Sequence, residues 1–176
     1  MRKKNYPSNF LRCLLGLAMV LLGAHTAAQS PSPSPATFEP RSPSVHFVWM
    51  GGNDCPPCVA WRALELPKLS KAPEFQRIRF SYVIKAIGST VPPAFFLPAE
   101  VRPLKPLLDN AGSGHVGSPQ AAVIVDGVVF DYFFGTRSAE EIERMLIAIS
   151  TGSAYPFTRC LKITRVGRGC EVLAPS

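Results

Sequence analysis

The sequence lacks an apolar run long enough to cross a membrane as a helix. Its apolar segment, residues 13–24, spans 12 residues, whereas a membrane-spanning helix needs about 20. The first 38 positions also lack acidic residues and hold four basic ones. Without those four, 15 basic residues face 12 acidic ones, a balance too even to indicate a nucleic-acid partner. A multi-span membrane protein and a nucleic-acid-binding protein are therefore not predicted.

The chain does contain enough apolar sequence for one folded domain. Of its 176 residues, 47% are hydrophobic and 18% are charged, which excludes a disordered or collagen-like chain. No internal repeat is evident. The 18 prolines are the unusual part of this composition, because several of them crowd into one segment and two separate a pair of cysteines.

Residues 1–28 have the pattern of a secretory signal peptide. Four basic residues precede the apolar segment, and Thr26, Ala27 and Ala28 then place small side chains where a signal peptidase cuts. We expect cleavage after Ala28 and a periplasmic or secreted mature protein; the alternative is an uncleaved membrane anchor. Cleavage removes Cys13 and leaves four cysteines, an even number that fits disulfides in an oxidising compartment.

Residues 29–44 form a predicted tether. Five prolines alternate mainly with serines in this segment, a composition that favours an extended polyproline II conformation and buries little apolar surface. The alternative is a proline-rich ligand for a partner domain. The folded domain is predicted to begin at residue 45.

Hydrophobic patterning predicts an alternation of strands and helices in the folded domain. The predicted strands lie at 45–50, 78–87, 121–125 and 128–133. Asp126 and Gly127 form a hairpin turn between the last two strands. The proline-rich segment 88–117 is an insertion that holds one short helix between loops. A closing helix follows Ser138, which forms a capping box with Glu141. This order predicts the α/β class.

The first predicted helix opens with a pair of cysteines. Cys55 and Cys58 stand directly after a Gly- and Asn-containing break, and the two residues between them are prolines. Proline is tolerated in a first helical turn because the N–H groups there lack intrahelical partners. Apolar residues, beginning with Val59 and Ala63, then recur at helical spacing up to Pro67.

A cysteine in the first turn of a helix is suited to thiol-disulfide exchange. Unpaired N–H groups and the positive end of the helix dipole stabilise the thiolate of Cys55. Two intervening residues allow Cys58 to reach the same sulfur and resolve a mixed disulfide. We expect Cys55 to be exposed and Cys58 to be shielded one turn further in. The alternative is that the two cysteines form an inert structural disulfide.

The order of these features resembles the thioredoxin superfamily. A Cys-x-x-Cys pair opens a helix after a strand, Ser118-Pro119 directly precedes a strand, and an Asp-Gly hairpin leads to a closing helix. The resemblance covers residues 45–150 and implies a thioredoxin-like three-layer α/β/α fold with a central mixed sheet. It also implies that Cys55 attacks, that Cys58 resolves, and that Pro119 is a cis-proline facing them. Ser118 and Pro119 are then expected to contact substrate.

The sequence departs from this family near the cysteine pair. Asp54 precedes the first cysteine, where many thioredoxins have an aromatic residue, and the strand before it lacks the buried acid that those proteins commonly carry. The proton acceptor for the second cysteine is therefore unassigned, with His46 and His115 as candidates. We expect Lys85 to be an exposed charge at the end of a strand.

Residues 151–176 form a predicted C-terminal extension. Cys160 and Cys170 lie close enough in sequence to staple a short hairpin or flap with a disulfide. The alternatives are a second redox pair that relays electrons to the first, free thiols, and a zinc site that uses all four cysteines. Zinc is disfavoured because nine residues separate Cys160 from Cys170 and no histidine assists. No metal and no cofactor are predicted.

Two classes of function follow from these residues. The favoured one is a secreted thiol-disulfide oxidoreductase that acts through Cys55 and Cys58. Its partners are protein thiols and disulfides and a membrane or periplasmic electron donor. Asp54, and the lack of a histidine within the motif, favour a reductant or isomerase-like role. The alternative is a thioredoxin-like binding module with a structural cysteine pair, which docks a partner through the tether and the 88–117 insertion.

Overall fold

The structure, a computed structural model of the chain, describes residues 41–164 and 169–171. The predicted signal peptide at 1–28 and most of the predicted tether at 29–44 lie outside these residues. Parts of the C-terminal extension at 151–176 also lie outside them. The division of the chain into these segments therefore stays a prediction.

Four strands form one mixed sheet. They are β1 (Val45–Met50), β2 (Arg79–Val83), β3 (Gln120–Val125) and β4 (Val128–Phe134). Their order in the sheet is β2-β1-β3-β4. β2 runs parallel to β1, whereas β3 runs antiparallel to both β1 and β4. β1 is buried along its whole length, as expected for a central strand that is covered on both faces.

Five α-helices accompany the sheet in the described part of the chain. They are α1 (Pro56–Leu64), α2 (Leu66–Leu69), α3 (Pro73–Gln76), α4 (Lys105–Gly112) and α5 (Ala139–Thr151). Two 3₁₀ turns, Ala94–Phe96 and Arg102–Leu104, precede α4. The first four helices carry proline in their first turn, where the missing N–H costs no helical hydrogen bond. None of the helices just named combines the length and the hydropathy needed to span a membrane.

Strand side chains alternate between two apolar layers. In β1, Phe47 and Trp49 join a cluster with residues of α1, α3 and α5, whereas Val48 and Met50 join a cluster with residues of α4 and the C-terminal extension. Successive strand residues point to opposite faces, so the sheet lies between two covering layers. The predicted thioredoxin-like three-layer α/β/α fold with a central mixed sheet is confirmed.

The second strand is shorter than predicted. The expectation was a strand over 78–87, but β2 ends at Val83. Ile84 is 71% exposed, and the backbone N–H of Lys85 donates to the carbonyl of Gly51 in the loop after β1 (3.3 Å). The regular strand therefore ends at Val83, while the chain up to Lys85 stays hydrogen-bonded to the loop after β1.

The first helix also differs from its prediction. It ends at Leu64 rather than continuing to Pro67, and α2 begins after a break. Its buried residues are Cys58 and Trp61, whereas Val59, which the apolar spacing placed on the buried stripe, is 39% exposed. The helix packs through the face that carries the second cysteine because Trp61 stacks on the buried Trp49 of β1.

Three local predictions are confirmed. Asp126 and Gly127 have positive φ values of 49° and 82°, as a type I′ hairpin turn requires. Ser138 caps α5, and the side chain of Glu141 accepts from the N–H of Ser138 to complete the capping box. The short helix predicted within 88–117 is α4.

The C-terminal extension contains the predicted stapled hairpin. Cys160 and Cys170 form a disulfide with their Cα atoms 5.2 Å apart. Two short strands, β5 (Lys162–Ile163) and β6 (Cys170–Glu171), pair antiparallel beside it. The N–H of Tyr132 in β4 donates to the carbonyl of Cys160 (2.7 Å), which docks the extension on the edge of the sheet.

Asp131 of β4 anchors this extension. Its side chain is fully buried and forms an ion pair with Arg137 (3.0 Å). It also accepts hydrogen bonds from the Tyr155 hydroxyl (2.9 Å) and from the N–H of Cys160 (2.9 Å). A buried carboxylate is stable only with such partners, and removing it leaves them unpaired.

We predict that Asp131→Ala lowers the free energy of unfolding by about 3 kcal/mol or more, because Arg137 and the N–H of Cys160 lose a buried acceptor. Urea denaturation of the protein with both disulfides intact measures this loss. Glu74→Ala is the matched control, since Glu74 pairs with the exposed Arg77 and an exposed pair contributes about 1 kcal/mol or less. Equal losses in the two variants contradict the anchoring role.

Candidate functional site

Cys55 and Cys58 form a disulfide at the start of α1, with their Cα atoms 5.2 Å apart. Cys55 is the N-cap of the helix, and its sulfur accepts the backbone N–H of Cys58 at 3.3 Å. Its carbonyl accepts the N–H groups of Cys58 (2.9 Å) and Val59 (3.0 Å). The sulfur of Cys55 therefore lies at the positive end of the helix, where N–H groups stabilise a thiolate.

Both cysteines are buried, with 0% of each residue exposed. The expectation that Cys55 is exposed while Cys58 is shielded is therefore wrong for the disulfide form. The bond holds the sulfur of Cys55 beside that of Cys58, which lies against Gly51. In the cysteine turn, residues 54–58, the exposed residues are Asp54, Pro56 and Pro57.

Two glycines allow the backbone to pass close to the cysteine pair. A Cβ on Gly51 would lie 2.6 Å from the sulfur of Cys58 and 3.4 Å from Nε1 of Trp49. A Cβ on Gly52 would overlap the carbonyl oxygen of Lys85. The Trp49 indole N–H is buried and has no hydrogen-bond partner in the described part of the chain, so it is a donor on the Cys58 side of the site.

Ser118 and Pro119 lie beside the cysteine turn, and the peptide bond between them is cis. The pairing of β1 with β3 places Met50 opposite Gln120, so the residues that follow β1 are neighbours of those that precede β3. Pro57, from between the two cysteines, lines one cavity with Ser118 and Pro119. This cavity has a volume of about 350 Å³.

A second cavity of about 300 Å³ continues from the first along α1. It is lined mainly by apolar side chains of α1, including Trp61 and Leu64, and by residues 136–138. Pro57 and Thr136 line both cavities. Together the two cavities form a groove, with apolar and polar lining residues, that passes the exposed first turn of α1.

Lys85 is buried at this site and is not the exposed charge that we expected. Only 3% of the residue is exposed. Its ammonium group donates to the carbonyls of Ser89 (2.6 Å) and Gly117 (2.7 Å) and to the hydroxyl of Ser118 (3.2 Å). Burial lowers the pKa of Lys85 to about 8, and the carboxylate of Asp54 acts in the opposite direction.

Gln120 is a second buried polar residue that the sequence reasoning missed. Its side-chain amide donates to the carbonyls of Gly117 (2.7 Å) and His115 (3.3 Å), and its amide oxygen accepts the Tyr132 hydroxyl (2.6 Å). Burial raises the pKa of Tyr132, which keeps it a neutral donor. The carbonyl of Gly117 is thus held by both Lys85 and Gln120.

The burial of Lys85 continues the burial pattern that the structure shows in β2. Ser81 and Val83 are buried in β2, and Lys85 follows at the same spacing of two. Side chains at this spacing share one face of an extended chain. The inward face of β2 therefore continues to Lys85 even though the strand itself ends at Val83.

The two histidine candidates do not serve the cysteine pair. His46 stands at the start of β1, five residues before Gly51, which corresponds to about 16 Å along a strand. Its Nε2 lies 3.0 Å from the hydroxyl of Ser81, and burial lowers the pKa of His46. His115 directs Nε2 at the carbonyl of Thr164 in the C-terminal extension (2.8 Å). Neither ring is therefore placed to take the proton of Cys58.

Cys55 is joined to Cys58 and Cys160 is joined to Cys170 in two disulfides, which contradicts the zinc-site and free-thiol alternatives. Within 41–164 and 169–171, no group of three or more His, Cys, Asp or Glu side chains could hold a metal ion. The chemistry that the arrangement offers is exchange at the sulfurs of Cys55 and Cys58.

No protein-family model and no curated protein sequence matches this chain. Among solved structures, the chain is similar to the C-terminal domain of DsbD from Neisseria meningitidis in the reduced form. The TM-score is 0.35 and the sequence identity is 20%, over 61% of this chain and 81% of that domain. The assignment of the fold therefore rests on the strand order and the two covering layers.

We predict that Gly51→Ala lowers the free energy of unfolding of the disulfide form by about 1–3 kcal/mol, because the added methyl overlaps the sulfur of Cys58. Gly88→Ala is the matched control, since its Cβ position meets nothing within 4 Å and the change should stay within about 0.5 kcal/mol. Urea unfolding of the oxidised proteins measures both. Wild-type stability in Gly51→Ala contradicts the close contact.

Proposed function

We propose that this protein is a thiol-disulfide oxidoreductase of the thioredoxin superfamily, which exchanges disulfides of other proteins through Cys55 and Cys58. The observation that carries the proposal is that the helix-capping disulfide lies beside the turn formed by Ser118 and Pro119. Pro57, which lies between the two cysteines, lines one cavity with Ser118 and Pro119. A sulfur at a helix N-terminus beside a substrate-sized groove is suited to this exchange.

The exchange consists of two displacements at sulfur. In the reduced protein, the thiolate of Cys55 attacks one sulfur of a substrate disulfide, and the other substrate sulfur leaves as a thiolate. The thiolate of Cys58 then attacks the sulfur of Cys55, and the second substrate sulfur leaves. Two electrons pass to the substrate, its two thiolates take up protons, and Cys55 and Cys58 end as a disulfide. A dithiol donor must then reduce this disulfide for another cycle.

Position in the helix supports the order of the two cysteines. Cys55 is the N-cap, and its sulfur accepts the N–H of Cys58, which favours its thiolate. The sulfur of Cys58 lies against Gly51, on the side of the buried Trp49. Cys58 is therefore suited to an internal attack on Cys55 rather than to the first attack on a protein.

The groove supports a polypeptide substrate. It continues in both directions from Pro57, towards Ile87 and Phe134 on one side and towards Leu64 on the other. Ile87 and Leu64 are 44% and 62% exposed. Apolar residues on either side of a substrate cysteine would bury this surface, with Ser118 and Pro119 as the proposed substrate contacts.

We infer a reductant or isomerase-like role from the surroundings of Cys55. Pro56 and Pro57 have no N–H, so the first helical donor after Cys55 is the N–H of Cys58. The carboxylate of Asp54 directly precedes it in sequence. Fewer donors and a neighbouring negative charge stabilise a thiolate less than in strong oxidants, and a less stable thiolate makes the disulfide harder to reduce.

An oxidising compartment fits this role. The two disulfides and the signal peptide predicted at 1–28 support a periplasmic or secreted protein. The proposed partners are protein substrates with thiols or disulfides, together with a membrane or periplasmic dithiol that supplies electrons.

The burial of both cysteines favours one other candidate. Because neither Cys55 nor Cys58 is exposed in the disulfide form, the pair also fits a structural disulfide. The protein would then be a thioredoxin-like binding module that uses the groove for a partner. Trapping of exchange partners separates the two functions.

We predict that Cys58→Ser accumulates substrate proteins as covalent adducts, because Cys55 still attacks but no internal thiol releases the mixed disulfide. Cys55→Ser should form few adducts or none. Non-reducing gels of secreted or periplasmic extracts, probed for this protein, measure the adducts, which must disappear on reduction.

Cys160→Ser is the matched control for the loss of a cysteine. The double variant with Cys58→Ser and Cys160→Ser should accumulate as many adducts as Cys58→Ser alone. Equal trapping by Cys55→Ser and Cys58→Ser contradicts the assigned order. The absence of adducts in both favours the binding module.

A further inference from the structure

Lys85 joins the two halves of the candidate site. Its backbone belongs to the cysteine side, since its N–H donates to the carbonyl of Gly51 (3.3 Å) and its own carbonyl lies against Gly52. Its side chain reaches the other side, where it bonds to Gly117 and Ser118 directly before Pro119. A single residue therefore links the turn that carries the cysteines to the turn proposed to contact substrate.

The number of hydrogens on this ammonium group matches the number of its acceptors. A protonated lysine has three N–H donors, and its acceptors are the carbonyls of Ser89 and Gly117 and the hydroxyl of Ser118. A neutral amine has two hydrogens and one lone pair, so it could donate to the two carbonyls and accept the O–H of Ser118. These hydrogen bonds would lose the strength that the positive charge of the ammonium group gives them. A side chain without N–H groups would satisfy none of them.

Asp54 is the charged group that acts on Lys85 from the cysteine turn. Its carboxylate accepts the backbone N–H of Ile87 at 2.9 Å. The other titratable groups of that turn are Cys55 and Cys58, which carry no charge as a disulfide. In the reduced protein, a thiolate at Cys55 would act on Lys85 in the same direction as the carboxylate of Asp54. Burial outweighs the carboxylate and lowers the pKa of Lys85 to about 8, so the amine loses its proton at mildly alkaline pH.

We propose that Lys85 is a positioning residue for the substrate, whose ammonium group holds the 117–119 turn against the cysteine turn and thereby sets the affinity for substrate polypeptides. This inference rests on the proposed exchange function. Lys85 acts through Gly117 and Ser118, which line the cavity beside Pro119. Gln120 also holds the carbonyl of Gly117, so without Lys85 the turn stays attached to β3 but loses its link to the cysteine side.

The test measures KM and kcat of the full chain for the reduction of insulin by dithiothreitol. Lys85→Met removes all three donors at similar side-chain length, and KM should rise about tenfold or more because hydrogen bonds from a charged group are lost. The fall in kcat should be smaller than the rise in KM. Lys71→Met, at an exposed lysine, is the matched control and should change neither constant.

The pH dependence of KM is the second readout. In the wild type, KM should rise as the pH increases through the pKa of Lys85, about 8 in the disulfide form, because hydrogen bonds from a neutral amine are weaker than those from an ammonium group. In Lys85→Met this rise should be absent. Lys85→Gln keeps two N–H donors but has no charge and does not titrate, so the alkaline rise should be absent there too. Lys85→Gln provides the test if Lys85→Met does not fold.

The outcomes separate this inference from the function on which it rests. Wild-type KM and wild-type pH dependence in Lys85→Met, or in Lys85→Gln if Lys85→Met does not fold, overturn the positioning role and leave the exchange function standing. A fall in kcat with unchanged KM in Lys85→Met also overturns it, because Lys85 then acts on the cysteine chemistry. If the wild type does not reduce insulin at any pH, the proposed function itself fails, and the role of Lys85 fails with it.

Discussion

The antiparallel pairing of β1 with β3 determines where the candidate site forms. β1 ends at Met50, just before the cysteine turn, and β3 begins at Gln120, just after Pro119; the two residues are opposite each other in the ladder. The same register directs Phe47 and Trp49 into one apolar layer. A slip of one residue would turn these side chains to the other face, so the core and the site depend on one set of strand contacts.

Hydrogen bonds of buried polar groups fix the loops that lie outside the paired strands. Lys85 and Gln120 both bond to the carbonyl of Gly117 before the cis-proline. Tyr132 of β4 donates its hydroxyl to Gln120 and its N–H to the carbonyl of Cys160. One strand residue thus connects the site to the disulfide-stapled extension. Such groups are costly to leave unpaired, which makes the arrangement of these loops specific.

Structural features that depend only on residues close together in the sequence could be predicted. The hairpin turn at Asp126, the cap at Ser138 and the cysteine pair at the start of α1 all follow from local patterns, and they were enough to identify the fold class. The burial of Lys85 could not be predicted in this way, because one of its acceptors lies 32 residues away. The burial of Cys55 depends on a loop and a disulfide that no local pattern describes.

The reduction potential of Cys55 and Cys58 decides whether the two residues form an exchangeable pair. Equilibration in dithiothreitol buffers, followed by alkylation and mass spectrometry of each cysteine, reports both disulfides in one experiment. We expect a potential between about −180 and −270 mV for this pair, the range of disulfide isomerase and thioredoxin. Cys160–Cys170 should remain oxidised under those conditions. A potential below about −300 mV, as in structural disulfides, would show that Cys55 and Cys58 do not exchange.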